Sequence, residues 1–244
     1  MTGSEANSDA DLLVRVSLRR PDRAPTPDGS ARDDRSQDPR ALRSRAAIVQ
    51  AATALFLERG YVDTSVDDIA ARAAVSKRTV YNNFADKERL FTEIVLGVTA
   101  TAEQFANEII APLRHADDLS TALRELARQH MAAVTRLPVV RLRRLISAES
   151  ARFPDLAREY HRRAPGHVLT AIAAAFADLA GQGRLRIGDA ERAAQHFAFL
   201  IVGATLDRVM FEGEGAIPSG PELDRLADSG VEAFLAAYRP DEHP

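Results

Sequence analysis

A short stretch of basic, amide and hydroxyl side chains has the chemistry needed to read DNA. Arginine and lysine pair with guanine edges or phosphates, asparagine with adenine, and threonine with a phosphate or a thymine methyl. A tyrosine hydroxyl can bind a phosphate at the edge of a groove. From Ser76 to Phe84 the chain has two positive charges and no acid. An ordinary solvated helix is the alternative interpretation. The residues concerned are Lys77, Arg78, Thr79, Tyr81 and Asn82.

Two short helices joined by a tight turn would position these side chains. Thr64 and Ser65 are N-cap candidates for the first helix, and Ser76 is one for the second. In the second helix, Val80 and Phe84 fall on the inward side. Together these features are typical of a helix-turn-helix DNA reader.

The predicted DNA interface extends beyond this reading helix. Lys87 begins a third helix, whose N-terminus could hold a phosphate, although a solvated lysine is the alternative. Arg45, in a helix before the motif, adds a further cation. Base edges are assigned to Lys77, Arg78, Thr79 and Asn82, and phosphates to Thr64, Ser65, Tyr81 and Lys87. Arg45 and Ser76 complete the predicted DNA-binding set.

Four segments in this region resemble the N-terminal domain of TetR-family (tetracycline-repressor-like) transcriptional regulators. The family usually has glycine in the turn where this chain has Ala74. If that residue requires a positive φ, alanine would cost about 1 kcal/mol. The segments are Arg45–Ala52, Leu55–Tyr61, Thr64–Ala70 and Val75–Phe91.

Composition limits where DNA could bind and which other chemistries are available. The 244 residues are 45% apolar, which is enough for a core, and the net charge of −3 means that DNA affinity must come from a local patch. The absence of cysteine excludes disulfides, thiol catalysis and zinc–thiolate sites. No apolar run reaches the roughly 20 residues of a membrane span, and no signal peptide is evident. We therefore expect a cytoplasmic protein that does not enter membranes.

We predict an all-α fold in three parts. Residues 1–40, rich in proline, glycine and charge, form a disordered tail, whose end nearest Arg45 could alternatively track DNA. Residues 41–90 form a three-helix helix-turn-helix DNA-binding domain. Residues 91–240 form a helical ligand-binding and dimerisation domain, entered by one long helix from Lys87 to Ile110.

Two C-terminal segments predict a subunit interface. Residues 190–211 are apolar on almost every face, and residues 221–238 carry a wide apolar stripe. A helix that is apolar all round is buried on all sides, either in a monomer core or against another subunit. The resembled family dimerises through its last two long helices. We therefore expect a homodimer through about 190–211 and 221–238, which would present two reading helices to a pseudo-palindromic site.

The chain offers no catalytic or metal-binding constellation. No two histidines are four residues apart, and neither a glycine-rich phosphate loop nor a nucleophile elbow is present. His196, among apolar residues, is expected to be a satisfied buried histidine. We predict neither an enzyme nor a cofactor.

The resemblance also implies an effector pocket in the C-terminal domain. Mostly aliphatic filling favours an apolar ligand, and residues 144–156 resemble a segment of multidrug-type (AcrR-type) members. Each candidate lining residue could instead be plain core. The candidates are Phe105, Ile109, His130, Met131, Phe153, Phe176 and Phe199.

The sequence as a whole predicts a sequence-specific dimeric repressor, released from double-stranded DNA by a small-molecule effector. The alternative is a helical ligand-binding or scaffold protein whose helix-turn-helix no longer reads DNA. A degenerate motif would be expected to lose the basic and polar side chains from Lys77 to Asn83, and this chain keeps them. An all-helical enzyme is a third and more distant reading.

Overall fold

The computed structural model describes residues 39–240, and this part of the chain is helical without strands. The predicted all-α class is therefore confirmed. The predicted tail and its DNA-tracking arm lie almost wholly outside the described residues. The described chain forms two compact units, one from residues 39–100 and 145–160 and the other from residues 101–144 and 161–240. The domain boundaries predicted at residues 40 and 90 stay predictions.

The first unit is organised around four helices and a small aromatic core. Phe56 and Phe91 meet edge to face at 5.3 Å, Tyr61 stacks on Phe56 at 5.7 Å, and Phe153 packs against Tyr61 at 4.9 Å. Aromatic pairs in these arrangements add to the stability gained from burial alone. The helices are α1 (Pro39–Arg59), α2 (Val66–Arg72), α3 (Lys77–Asn83) and α4 (Lys87–Gly97).

Local capping explains where these helices begin. Ser65 and Asp68 form a reciprocal capping box, in which the Ser65 hydroxyl accepts from the Asp68 amide at 3.1 Å. The Ser76 hydroxyl accepts from the Thr79 amide at 3.0 Å, and the Asp86 carboxylate accepts from the Arg89 amide. These bonds satisfy amides that a helix start would otherwise leave unpaired. The N-caps predicted at Ser65 and Ser76 are thus confirmed.

The single helix predicted from Lys87 to Ile110 is wrong. Helix α4 ends at Gly97, a separate α5 spans Ala100–Phe105, and a π-helical turn (Ala106–Ile110) and a 3-10 turn (Ala111–His115) follow. At the break, the carbonyl of Leu96 accepts from both the amide (3.2 Å) and the hydroxyl (2.8 Å) of Thr99. The Thr99 side chain thus satisfies the carbonyl that would accept the next helical bond.

The second unit packs its helices around a cluster of phenylalanines. Phe176 lies 5.4 Å from Phe197 and 5.1 Å from Phe234, and all three are completely buried. Helices α7 and α8 each contribute residues to both units. The helices are α6 (Leu119–Thr135), α7 (Leu137–Glu149), α8 (Pro154–Arg163), α9 (Pro165–Gly181), α10 (Ala190–Ala198), α11 (Ala204–Glu212) and α12 (Gly220–Tyr238).

One stretch, Pro154–Gly181, is long and apolar enough to cross a membrane by length and composition alone. The expectation from the sequence that no apolar run reaches the length of a membrane span is therefore wrong when mean hydropathy is the criterion. One such helix is weak evidence for a span, because core helices pass the same test. In this stretch Ile172, Phe176 and Leu179 are fully buried in the core of the second unit, as in a core helix.

The segment predicted as one helix over residues 190–211 contains a π-helical turn, Phe199–Gly203, between α10 and α11. Helix α12 passes very close to this turn. A Cβ added to Gly230 of α12 would lie only 2.9 Å from the carbonyl oxygen of Leu200. Phe199 and Phe211 are 70% and 82% exposed. The interpretation that this segment simply fills the monomer core is therefore wrong for these two residues.

His196 also differs from its prediction. It is exposed rather than buried, and its Nδ1 lies 2.6 Å from the hydroxyl of Tyr238 on α12. The apolar neighbours in its sequence point inward, whereas His196 falls on the outer side of α10.

Candidate nucleic-acid interface

Helix α3 separates a buried side from an exposed side. Val80 and Phe84 are each 2% exposed, as predicted, and they hold the helix against the first unit. On the other side Arg78, Tyr81 and Asn82 are exposed, and their side chains make no hydrogen bond or ion pair within residues 39–240. These three side chains are therefore available to an external partner.

Lys77 and Thr79 occupy the same helix but are already engaged. The Lys77 ammonium forms an exposed ion pair with Asp67 of α2, with Nζ and Oδ2 2.9 Å apart. Its hydrogen bond to Asp67 raises the pKa of Lys77. Thr79 is half-buried, and its hydroxyl lies 2.8 Å from the Ser76 hydroxyl. DNA would have to displace Asp67 to contact Lys77.

Arg45 reaches from α1 to the end of α3. Its guanidinium donates to the carbonyl of Asn83 at 3.1 Å, pairs with Glu93 of α4 and lies 4.2 Å above the Phe84 ring. These contacts fix the C-terminal end of α3 between α1 and α4. Arg45 thus positions the predicted reading helix, and its contact with DNA stays a prediction.

The side chains of the three remaining predicted phosphate ligands are engaged within the protein. Thr64 is 1% exposed, and its hydroxyl donates to the Gly60 carbonyl at 2.8 Å. Ser65 is exposed but is committed to its capping box. The Lys87 ammonium donates to the carbonyls of Tyr61 and Thr64 at 2.9 and 2.8 Å. Burial, with a smaller effect from the Arg152 cation, lowers the pKa of Lys87.

Sequence reasoning missed the residues that hold α3 and its predicted DNA-contacting side chains in place. Asp67, Glu93 and Asn83 are the partners of Lys77 and Arg45, and the Asn83 amide donates to the Thr79 carbonyl at 2.8 Å. An acid two positions into α2 was visible in the sequence only as a favourable helix start. Its pairing with Lys77 depends on the angle between two helices, which no local pattern reports.

The turn between α2 and α3 is strained at Ala74. Its φ is +53°, in the left-handed region, and it is the one residue other than glycine with a positive φ in residues 39–240. The condition stated from the sequence is therefore met, and the cost of the conformation stays a prediction. A Cβ in this conformation is crowded by the adjacent carbonyl.

We expect Ala74→Gly to raise the free energy of unfolding by about 1 kcal/mol, because glycine removes this crowding. Urea denaturation would measure the change. The matched control is Ala73→Gly, since Ala73 has an ordinary φ of −79°. The control should lose roughly 0.5–1 kcal/mol through the greater freedom of the unfolded chain. Equal losses in both variants would contradict the assignment of strain to Ala74.

Comparison with known proteins identifies the fold as a whole. Residues 48–94 match the family model described as bacterial regulatory proteins, tetR family, and residues 121–240 match that of the AefR-like transcriptional repressor C-terminal domain. The crystal structure of a TetR-family regulator from Mesorhizobium loti is 36% identical, with a TM-score of 0.75, over 82% of this chain and 98% of that one. The chain belongs to the TetR family of transcriptional regulators.

Two further relatives bear on regulation. The flavonoid-responsive regulator FrrA is 30% identical, with a TM-score of 0.66, over 82% of this chain and 98% of that one. The HTH-type transcriptional repressor DhaR of a Mycobacterium species is 32% identical over 89 residues, which are 33% of this chain and 43% of DhaR. Alignments with the curated relatives span only between 24% and 43% of their lengths.

The predicted effector-pocket residues of this TetR-family chain do not form one group. In the second unit, Phe105 lies 5.7 Å from His130, Met131 and Phe176 are fully buried, and Ile109 is half-buried against the same core. Phe199 is exposed. Phe153 belongs to the first unit, where it packs against Tyr61 and Phe91. The lining as a whole stays a prediction.

Phe153 borders an open groove of about 370 Å³ in the first unit. The other six predicted lining residues do not border it. Three acids, Glu88, Asp155 and Glu159, lie along the groove with Arg152. Within the described part of the chain no group of three acidic or histidine side chains could hold a metal ion.

His130 and Arg143 are the polar groups that stand out in the second unit. His130 is 9% exposed, and burial together with the nearby Arg143 cation lowers its pKa to about 4. The Nε of Arg143 is buried and has no hydrogen-bond partner in residues 39–240. The sequence-based set included His130 and missed Arg143.

Proposed function

We propose that the protein is a dimeric transcriptional repressor that places α3 of each subunit in the major groove of a pseudo-palindromic DNA site. It would act in the cytoplasm, where its operator is. The observation that carries the proposal is the exposed side of α3. There Arg78, Tyr81 and Asn82 have the donors that base edges and phosphates require, and no protein group in residues 39–240 occupies them.

Among the predicted contacts, the free residues are the strongest candidates for DNA binding. Arg78 and Asn82 can read guanine and adenine, and the hydroxyl of Tyr81, which is 47% exposed, can hold a phosphate. Lys77 would contact DNA once its ion pair with Asp67 has broken. Thr64, Ser65 and Lys87 support this surface through their bonds within the protein, and a phosphate contact from them would be made through the backbone or a remaining donor.

The dimer of this chain would form through α10–α11 and α12. These segments carry Phe199, Leu200, Phe211 and Leu226, which are 39–82% exposed in one chain. Exposed apolar side chains gathered on adjacent elements mark a subunit interface. A two-fold axis through this surface would pair the reading helices as a palindromic site requires.

Release from DNA would follow binding of a small molecule in the second unit. Responsiveness to such a molecule is part of the name of the relative FrrA, and ligand-responsive regulation is typical of the family. The ligand would act by binding the conformation that does not fit the operator more tightly than the one that fits.

Titration of the dimer against duplex DNA flanking its own gene tests the proposal. We expect tight binding with a steep salt dependence, and we expect Arg78→Ala to weaken it roughly 10- to 100-fold, as loss of a base contact does. Discrimination between the operator and a mutated operator should relax in the same variant. Fluorescence anisotropy at several salt concentrations measures both quantities.

Two variants separate reading of bases from loss of charge. Arg59→Ala removes the same charge from an exposed position at the end of α1 and should change affinity little. Tyr81→Phe should weaken all sequences alike, because phosphate contacts carry no sequence information. If selection from random duplexes yields no preferred site, the protein is a ligand-binding or scaffold protein whose helix-turn-helix does not read DNA.

A further inference from the structure

Helices α6 and α7 each carry one polar side chain that stands out in the second unit. The helices are joined at Arg136, and His130 lies six residues before it and Arg143 seven residues after it. The charge of Arg143 acts on the His130 ring.

The two side chains differ in how they are satisfied. His130 is 9% exposed, and its ring lies against that of Phe105. Arg143 forms no ion pair within residues 39–240, and its Nε is buried and unpaired. Buried donors are almost always satisfied in folded proteins, and one left unpaired requires an explanation.

Two neighbouring arginines act on an acid, and Arg143 differs from them. Arg141 pairs with Glu214, and the charge of Arg144 also acts on the carboxylate of Glu214. Positions 141 and 144 share one side of α7, whereas position 143 faces another side.

The surroundings of the pair are apolar and only partly closed. The ring of Phe105 lies 5.7 Å from that of His130, and Phe105 and Ile109 are both half-buried against the core. An apolar molecule could lie along these two side chains with its polar end toward α7.

We propose that Arg143 and His130 form the polar end of the effector site, and that the effector is an organic acid with an aromatic or otherwise apolar body. The inference rests on the proposed function and deepens it by naming the class of ligand. The carboxylate of the effector accepts a hydrogen bond from Nε of Arg143 and compensates its charge. His130, neutral at pH 7, donates a second hydrogen bond from its ring. A charge-assisted pair in a desolvated site favours the acid strongly over a neutral analogue.

Calorimetric titration of the full-length protein with 2-naphthoate and 2-naphthamide tests this ligand class. The two probes share shape and differ in charge. We expect 2-naphthoate to bind about tenfold or more tightly than the amide. In Arg143→Met this preference should disappear, whereas Arg144→Met, which removes a neighbouring exposed cation, should retain it. Equal binding of both probes, no binding of either, or a preference that survives in Arg143→Met would overturn the proposal.

The stability of the ligand-free protein gives an independent readout. Arg143→Met should raise the melting temperature, because it removes an unpaired buried donor and an uncompensated cation. An arginine with a structural role would lower it on replacement. Operator affinity without ligand should be unchanged in Arg143→Met. If the wild-type protein binds no operator, the proposed function fails, while the comparison of acid and amide still decides the chemistry of the site.

Discussion

Replacing Phe199 with aspartate is expected to convert the dimer into monomers. The ring is 70% exposed in one chain and lies over Gly203, where an added Cβ would come within 3.3 Å of it. In a two-fold interface the substitution introduces two carboxylates, each of which would be buried without a partner. We expect the dimer dissociation constant to rise by roughly 100-fold or more, the scale of an interface hot spot. Sedimentation velocity over a range of concentrations measures it.

The matched control is Leu42→Asp on α1. Leu42 is also a large exposed apolar residue, at 53%, but it belongs to the first unit, whereas the proposed dimer surface belongs to the second. The control should remain dimeric. Binding to a full operator should become weaker in Phe199→Asp, since two half-sites would then be filled independently. A Phe199→Asp protein that remains as dimeric as the wild type would refute the assignment of this surface.

The second large effect concerns acid stability and His130. The pKa of this side chain is about 4 in the folded protein, because burial and then the Arg143 cation oppose its charging. The unfolded chain takes up a proton near pH 6.5. Between these values the unfolded state binds more protons, so stability must fall as the pH is lowered from 6.5 to 4. The loss from this one group should be roughly 3 kcal/mol.

Urea denaturation at pH 7 and pH 4.5 would measure the loss, and His130→Leu should reduce it. His115 supplies the control, because His115→Gln removes a histidine from an exposed position. The control should keep the wild-type dependence on pH. If wild type and His130→Leu lose the same free energy of unfolding between pH 7 and pH 4.5, other groups are responsible for the acid sensitivity.

Local signals account for what could be predicted from the sequence. Ser65 and Ser76 begin helices because capping acts within a few residues. The inward direction of Val80 and Phe84 follows from helical periodicity. The exposed side of α3 was predictable for the same reason, since the residues left over after the buried positions must face solvent.

Features that depend on packing between distant segments were not predictable. The break after Gly97 depends on Thr99, whose hydroxyl donates to the nearby carbonyl of Leu96. The π-helical turn at Phe199 shifts the register of an apolar helix, so Phe199 falls outside a core that periodicity alone would give it. Arg45 contacts Asn83 and Glu93, which lie 38 and 48 positions further along the chain. No window of sequence reports such contacts.

The ion pair between Lys77 and Asp67 means that α3 carries its own counterion before DNA arrives. If Lys77 moves to a phosphate, Asp67 loses its partner and would take up a cation from solution. That uptake would offset part of the ion release that drives binding to any duplex. Lys77 should therefore add less to DNA affinity, and to its salt dependence, than a free cation would.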